Sequence, residues 1–342
     1  MMSAGGAVVF RCDAGAEDGL GHLRRCMSLA DALRKRTRTA RFIAANGEGQ
    51  LGPQLLSQAE IPYRNAAGPV GTSADLEDLM AAEDVAASSV LVIDSKRADG
   101  DYFHMLRKKH CLAVIDDDAA QAISADLVLN ARLDAAPDLY GAKSCVGAYA
   151  LGGRFNLVPE SLFSLPAPDP QAPIMVTMGG EDPENRTSWI VETLTARRPD
   201  VALRVVIGPA HPHPESALAA VSAHPNAQAV VAPDGLASEI HACRAAISAG
   251  GTSCYELCAA RRPFAVVLLE EHQRLLAGPF FDAGAAYLAN EVTDWSPDRL
   301  IDAVSRLDDP QAVAAMVSVQ GTLLRESGVD AAIDALLSLE RS

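Results

Sequence analysis

Short apolar runs alternate with longer amphipathic stretches along most of this chain. The first run, Ala7–Arg11, is followed by a helical pattern in which apolar residues recur every three or four positions, at Leu23, Cys26, Met27, Ala30 and Leu33. Further runs in the first half lie at Thr39–Ala44, Val90–Ile93, Leu112–Ile115 and Leu127–Leu129. Strand-length runs separated by helix-length segments are typical of βαβ units, so the pattern predicts a parallel sheet with helices on both faces.

A proline-rich stretch interrupts this rhythm near the middle of the chain. Residues 161–173 read SLFSLPAPDPQAP, and the four prolines are incompatible with a helix interior or a central strand. The alternation restarts after it, at Ile174–Met178, Leu203–Ile207, Ala227–Val231, Ala245–Ser248 and Phe264–Leu269. We therefore predict two doubly wound, Rossmann-like α/β domains at residues 1–160 and 174–342, joined by a linker at 161–173. The amphipathic helix from about Asp330 is expected in the second domain.

Composition and charge restrict the partners of the protein. Of the 342 residues, 49% are hydrophobic, and acidic residues outnumber basic ones by 44 to 29. The net charge of −15 argues against nucleic acid as a ligand, because phosphate backbones are bound by a surplus of Lys and Arg. The seven cysteines form no CxxC pair and are expected to be reduced thiols. Without a membrane-length apolar run or a signal-peptide pattern, a cytoplasmic protein with no stable membrane association is expected.

The first glycine-rich motif lies between the first predicted strand and the first predicted helix. It reads Arg11-Cys12-Asp13, then Gly19-Leu20-Gly21-His22. Glycines let the backbone approach a ligand closely, and the helix N-terminus beyond them has free N–H groups and a partial positive charge. That charge favours a neutral imidazole at His22, which suits it to accept a proton, although a histidine that only caps or packs fits the same pattern.

Two more glycine pairs follow strand-like runs in the second half. Gly179-Gly180 comes after Ile174–Met178, where a turn against a ligand and an ordinary capped turn remain alternatives. Gly250-Gly251-Thr252-Ser253 follows Ala245–Ser248 and leads into a predicted helix that carries Glu256. Free N–H groups and two hydroxyls suit a diphosphate, and Glu256 is placed to accept hydrogen bonds from a ribose diol. This motif therefore predicts a nucleotide phosphate site.

Three other polar clusters have simpler explanations. Glu270-Glu271-His272-Gln273 follows the run Phe264–Leu269, and a solvated loop explains it better than a ligand site does. Asp116-Asp117-Asp118 closes a predicted strand and is not expected to hold a metal ion. Basic residues between positions 34 and 41 complement the dipole at the end of the first helix, but they also offer a membrane-surface patch.

As a set and in this order, the motifs resemble those of the nucleotide-sugar hydrolase of pseudaminic acid biosynthesis. The resemblance covers nearly the whole chain and rests on RCDAG, GLGHLRRCMSLADAL, VIDS, VIDDDA, ADLVLN, VTMGGEDPEN, VVIGPAHPH, AISAGGTSCYELCA and the segment around Gln273. It implies a glycosyltransferase-B type fold with two Rossmann-like domains facing across a cleft. The implied reaction is the release of UDP from UDP-2,4-diacetamido-2,4,6-trideoxy-β-L-altropyranose by water, with no metal and no cofactor.

The resemblance also assigns roles to individual residues. It implies that His22 is the catalytic residue. The substrate-binding positions that it implies are Asp13, Gly19, Gly21, Lys96, Gly179, Gly180, Gly208, Gly250, Gly251, Thr252, Ser253, Glu256, His272 and Gln273. Lys96 stands where the family usually has a tyrosine, and His211 and His272 stand where it usually has asparagines. The positions of Lys96 and His272 are expected near the sugar.

The expected chemistry follows from these parts. A nucleotide diphosphate is a good leaving group, so the protein has to stabilise the departing negative charge and orient a nucleophile. The turn at residues 250–253 is expected to do the first, and His22 the second, as a general base. The alternatives are a glycosyltransferase that uses the same base on an acceptor hydroxyl and a non-catalytic nucleotide-sugar binding protein. A UDP-sugar is the expected partner in each case.

Overall fold

The computed structural model describes residues 6–15, 20–47, 50–142 and 144–341. The chain divides into two compact units, Met1–Pro159 with Ser327–Ser342, and Glu160–Glu326. Each unit has its own parallel sheet and its own buried apolar clusters. The prediction of two doubly wound α/β domains is confirmed.

The first unit is built on a seven-stranded parallel sheet. Its elements before residue 159 are β1 (Val8–Cys12), α1 (Gly21–Lys35), β2 (Ala40–Ala44), α2 (Gly52–Gln58), β3 (Tyr63–Asn65), α3 (Ser73–Ala81), α4 (Glu83–Ala86), β4 (Val90–Asp94), α5 (Gly100–Arg107), β5 (Leu112–Ile115), β6 (Ser124–Asn130) and β7 (Cys145–Leu151). The strand order is β3-β2-β1-β4-β5-β6-β7. The order reverses between β1 and β4, and sheets of this kind bind ligands beyond the carboxyl ends of the strands at that point.

Burial on both faces explains why the central strands read as unbroken apolar runs. Alternate residues of β1 pack into separate clusters: Phe10 lies with Leu29 of α1 on one face, and Val9 lies with Phe103 of α5 on the other. All five residues of β1 and all five of β4 are buried. A parallel sheet covered on both sides requires this pattern.

The second unit repeats the design on a six-stranded parallel sheet. Its elements are α6 (Glu160–Phe163), β8 (Ile174–Thr177), α7 (Arg186–Arg197), β9 (Leu203–Ile207), α8 (Pro214–Ala223), β10 (Ala227–Val231), α9 (Ala237–Ala242), β11 (Ala245–Ala249), α10 (Ser253–Ala259), β12 (Phe264–Val267), α11 (Gln273–Asp282), β13 (Tyr287–Asn290), α12 (Pro297–Leu307) and α13 (Pro310–Leu323). The strand order is β10-β9-β8-β11-β12-β13, so it reverses between β8 and β11. The segment predicted as a linker begins inside the short helix α6.

The last helix belongs to the first unit. α14 (Val329–Ser338) packs against α1, and its apolar residues Val329, Ala332, Ile333 and Leu336 join the cluster under β1. Arg36, just after α1, pairs with Asp330 and Asp334. The end of the second domain, predicted at residue 342, is therefore corrected to Glu326, because the apolar face of α14 completes the first core. Among the helices of the described residues, none combines the length and the apolar character needed to cross a bilayer.

Candidate functional site

His22 lies beside the point where the strand order of the first sheet reverses. It is the second residue of α1, and its Nδ1 is 2.6 Å from Oδ1 of Asp94, the last residue of β4. An ionised carboxylate only accepts hydrogen bonds, so Nδ1 of His22 donates, and Nε2 is the ring nitrogen left to accept a proton. The arrangement is that of a general base oriented by an acidic side chain.

Arg25, one turn further along α1, binds the same carboxylate. Its Nε and Nη2 atoms bond to the two oxygens of Asp94, each at 2.6 Å, and its Nη1 bonds to Oδ1 of Asp117 at 2.7 Å. Burial by itself raises the pKa of Asp94, but the charges and hydrogen bonds of Arg25 and His22 outweigh it and hold that pKa well below its usual range. Asp94 is therefore ionised at neutral pH.

A pocket opens beside these side chains, lined entirely by residues of the first unit. Polar residues dominate its lining, among them His22, Arg25, Ser95, Lys96, Asp118 and Gln121. Lys96 follows β4 by two positions and shares this pocket with His22. The structure thus brings Lys96 and His22 together, while a contact of Lys96 with a sugar stays a prediction.

Three further residues of the first motif were predicted to bind substrate: Asp13, Gly19 and Gly21. Gly21 begins α1, and Gly19 lies outside the described residues. Asp13 is buried, and its carboxylate accepts hydrogen bonds from Arg11, from N–H of Ala45 at 2.9 Å and from N–H of Val70 at 2.7 Å. Because these donors occupy both oxygens, Asp13 ties two loops to the end of β1. A contact of Asp13 with substrate stays a prediction.

The acidic run after β5 is engaged by protein donors. Oδ2 of Asp116 accepts from the Tyr140 hydroxyl at 2.9 Å and from N–H of Ala119 at 3.0 Å. Burial raises the pKa of Asp116, and these hydrogen bonds oppose that rise. Asp117 is held by Arg25, as described above. Within the described residues there is no group of three or more His, Cys, Asp or Glu side chains arranged to hold a metal ion.

In the second unit, Gly208, which follows β9, packs against the turn that Gly179 and Gly180 form after β8. Gly179 has a φ of +87°, a conformation that favours glycine. A Cβ on Gly208 would collide with the carbonyl oxygens of Gly179 and Gly180, whereas a Cβ on Gly179 or Gly180 would meet nothing within 4 Å. The structure therefore brings these three predicted residues together, with Gly208 packed and the other two facing open space.

The turn after β11 is held by Gln273, from the polar cluster Glu270-Glu271-His272-Gln273. Oε1 of Gln273 accepts from N–H of Gly250 at 3.3 Å and from N–H of Leu269 at 2.9 Å. A Cβ on Gly250 would lie 2.8 Å from Cδ2 of Leu268, so close packing explains this glycine. Gln273 is therefore bonded to the predicted phosphate turn. The interpretation of residues 270–273 as a solvated loop did not include this contact.

The turn after β11 has several hydrogen-bond donors that no described protein group occupies. Within the part of the chain that the structure describes, the backbone N–H groups of Gly251 and Thr252 and the hydroxyls of Thr252 and Ser253 make no hydrogen bond. Glu256 is half-buried on α10. His272 is exposed, and its Nδ1 lies 2.9 Å from Oε2 of Glu270. The turn thus offers several donors, while contacts of Glu256 and His272 with a ligand stay predictions.

Comparison with known proteins gives one partial relative. A segment of 118 residues is 33% identical to the spore coat polysaccharide biosynthesis protein SpsG of Bacillus subtilis, and it covers 33% of this chain and 34% of SpsG. The match therefore spans about a third of the length of either protein. No protein-family model matches the chain.

Solved structures match the chain over nearly its full length. MurG of Acinetobacter baumannii has a TM-score of 0.65 and 16% identity, over 97% of this chain and 99% of that one. HepE of Anabaena, solved with UDP and glucose, has a TM-score of 0.62 and 11% identity, over 98% and 100%. UGT2 of Phytolacca americana, solved with UDP-2-fluoro-glucose and pterostilbene, has a TM-score of 0.67 and 13% identity, over 99% of each chain. The chain has a glycosyltransferase-B type fold.

Sequence reasoning missed the residues that organise His22. Asp94 and Asp117 were available as signals, since Asp94 directly follows the apolar run Val90–Ile93 and Asp117 comes two positions after Leu112–Ile115. Polar side chains at such positions lie at the ligand-binding edge of the sheet. Arg25 lies three positions after His22 and therefore on the same face of α1. The motif VIDS was recognised, but its Asp94 was given no role.

Proposed function

We propose that this protein transfers a sugar from a UDP-sugar to an acceptor hydroxyl, with His22 as the general base. The observation that carries the proposal is the hydrogen bond from His22 to the buried carboxylate of Asp94, at the point where the first sheet reverses its strand order. Two similar structures contain UDP or a UDP-sugar analogue, and the partial relative SpsG is named for polysaccharide biosynthesis. Each of these supports chemistry on a nucleotide sugar.

The proposed step uses groups of the first unit. Nε2 of His22 takes the proton of the acceptor hydroxyl while the acceptor oxygen attacks the anomeric carbon. The bond between that carbon and the diphosphate oxygen breaks, and its electron pair stays with the diphosphate. The imidazolium that forms is stabilised by Asp94 through Nδ1–H, and such a base is typically worth about 10²–10⁴-fold in rate.

The second unit is proposed to bind the nucleoside diphosphate. Its turn after β11 supplies backbone N–H groups and the hydroxyls of Thr252 and Ser253, which suit phosphate oxygens. The amide Nε2 of Gln273 adds a donor beside them, since Oε1 of that side chain is occupied by Gly250 and Leu269. Glu256 is proposed to accept from the ribose. Stabilisation of the leaving group would come from these donors.

Hydrolysis, with water as the acceptor, is the second candidate. It is favoured by the motif set shared with the hydrolase family and by the state of the basic residues after position 34. Arg34 and Lys35 pair with Asp31, Arg36 pairs with Asp330 and Asp334, and Arg38 pairs with Glu340. Four of the five basic residues between positions 34 and 41 are therefore paired with carboxylates, and Arg41 is exposed. This pairing weakens the case for a lipid-surface acceptor and favours small acceptors, water included.

One experiment separates the candidates. The purified chain is incubated with a panel of UDP-sugars in ¹⁸O-labelled water, with and without sugar-alcohol and oligosaccharide acceptors, and the products are analysed by mass spectrometry. Label in the free sugar indicates hydrolysis, and an unlabelled glycoside of the acceptor indicates transfer. His22→Ala should lower either rate about 10²–10⁴-fold, whereas His104→Ala, which changes an exposed histidine on α5, should not. UDP binding without turnover of any sugar would overturn both and leave a binding protein.

A further inference from the structure

We propose that Arg25 is a positioning residue that keeps His22 unprotonated at neutral pH by sharing the carboxylate of Asp94. Oδ1 of Asp94 lies 2.6 Å from Nδ1 of His22 and also 2.6 Å from Nη2 of Arg25. The two nitrogens, in turn, are 3.2 Å apart. The catalytic consequence of this arrangement rests on the proposed function of His22, whereas the effect on its protonation does not.

The need for such a residue follows from the charge of Asp94. A carboxylate in contact with an imidazole stabilises the imidazolium and typically raises the pKa of the histidine by about 1–3 units. A histidine shifted that far is protonated at neutral pH and has lost the lone pair that a general base requires. Asp94 alone would therefore orient His22 and at the same time increase the fraction of it that is protonated.

Arg25 opposes that effect in two ways. Its guanidinium bonds to both oxygens of Asp94 and so compensates the negative charge that His22 faces. It also sets a positive charge 3.2 Å from Nδ1 of His22, which disfavours a second positive charge on the ring. Burial lowers the pKa of Arg25, but Asp117 and Asp94 outweigh it and keep that pKa above its usual value, so the guanidinium stays charged.

The other groups around His22 fit this balance. The Cys26 thiol donates to Oδ2 of Asp94 at 3.4 Å, and burial raises the pKa of that thiol, so it contributes no negative charge. Asp117 faces Arg25 from the loop after β5 and offsets part of its charge. Charged groups that line the same pocket are Lys96, Asp116, Asp117 and Asp118. Besides Asp94, Asp117 is an anion in direct contact with Arg25, so it sets how strongly Arg25 acts on His22.

The test is a titration of His22 that needs no substrate. Histidine rings are labelled with ¹³C in the full-length protein, and the signal of His22 is identified by its loss in His22→Gln. Arg25→Met should raise the titration midpoint of His22 by about one pH unit, because Asp94 then faces it uncompensated. Asp117→Asn should lower the midpoint, because Arg25 is then less neutralised. Arg34→Met removes a cation from the exposed end of the same helix, paired with Asp31, and should leave the midpoint unchanged.

The outcomes decide the proposal in either direction. A folded Arg25→Met protein whose His22 titrates as in the wild type overturns it. If that variant does not fold, Arg25→Lys and Asp117→Asn decide. In Arg25→Lys the titration midpoint of His22 should lie above the wild-type value but rise by less than is expected for Arg25→Met. An unchanged or raised midpoint in Asp117→Asn is contrary to the proposal. The acid limb of the pH profile of kcat/KM should move with the midpoint. If His22→Ala retains activity, the proposed function fails while the titration result stands.

Discussion

Nδ1 of His22 and Oδ1 of Asp94 lie 2.6 Å apart, although 72 positions separate the two residues in the sequence. The contact arises because β1 and β4 are neighbours in the sheet, so the helix that follows β1 begins beside the end of β4. A parallel, doubly wound topology brings these two segments together at one edge. The fold alone therefore brings His22 and Asp94 into contact, without a ligand.

Asp94→Asn tests this contact by activity. An amide at this position no longer fixes the protonated nitrogen of His22 or stabilises the imidazolium, so kcat should fall about 10²-fold or more. Steady-state rates of UDP release measure the effect. Asp101→Asn, which changes an exposed carboxylate in the first turn of α5, is the matched control. A normal kcat for Asp94→Asn would show that the carboxylate does not assist the reaction.

Asp94→Asn should also change how the stability of the protein depends on pH. The pKa of Asp94 is held below its usual value in the folded protein, so its ionised form stabilises the fold above the pKa of the unfolded chain, about 4. That contribution is lost as the pH falls through the folded-state pKa. The difference in free energy of unfolding between wild type and Asp94→Asn should therefore be largest above about pH 4 and shrink below it. Urea titrations at several pH values measure it, and a constant difference would contradict the assignment.

Substitutions of Gln273 separate stability from nucleotide binding. Gln273→Ala leaves the N–H groups of Gly250 and Leu269 without their acceptor, which should cost about 1–3 kcal/mol of stability. Gln273→Glu keeps the acceptor but replaces the Nε2 donor with a negative charge, so it should fold normally and bind UDP more weakly. Thermal unfolding and calorimetric titration with UDP measure the two effects. Equal UDP affinity in wild type and Gln273→Glu would place the diphosphate elsewhere.

The glycine turn of the second unit offers a matched pair. Gly208→Ala forces a Cβ against two backbone carbonyls and should destabilise the protein by about 1–3 kcal/mol. Gly180→Ala adds the same methyl group where nothing lies within 4 Å, and should leave the unfolding midpoint nearly unchanged. Denaturant titration compares them. If both variants lose similar stability, the close packing of Gly208 is not the reason for its glycine.

We expect the apolar contacts between α14 and α1 to contribute more to the free energy of unfolding than the ion pairs do. Ile333 is fully buried in the first core, so Ile333→Ala should cost about 2–5 kcal/mol. Arg36 pairs with Asp330 and Asp334, both largely exposed, so Arg36→Ala should cost no more than about 1 kcal/mol. Urea unfolding measures both. The reverse order would mean that charge, not burial, holds the helix.

The sequence predicts the buried strands well and the edge strands poorly. Strands with neighbours on both sides and helices on both faces, such as β4 and β11, are buried throughout and stand out as largely apolar runs. The three strands missed are β3, β7 and β13, which are three of the four edge strands; the fourth, β10, was predicted as the run Ala227–Val231. Four of the seven residues of β7 are exposed, and its sequence, CVGAYAL, is apolar but contains one Gly and two Ala, which are depleted in strands.

Local motifs predict where a site lies, but not which distant residues form hydrogen bonds within it. The turns at Gly179 and Gly250 follow β8 and β11, the strands at which the second sheet reverses, so their placement could be anticipated. The bond from Gln273 to Gly250 joins residues 23 positions apart and depends on the packing of α11, which no local pattern encodes. The hydrogen bonds of Asp13 could not be predicted for the same reason: its donors, Ala45 and Val70, come from distant loops.

The return of α14 to the first unit makes that unit discontinuous along the chain. During synthesis, residues 160–326 are complete before the helix that closes the first core has emerged, so the later-encoded unit can finish folding first. Until then the apolar face of α1 that receives α14 stays uncovered. Expression of the first unit alone would accordingly require residues 1–159 to be joined to residues 327–342, and a simple truncation at the middle of the chain would leave it without its last helix.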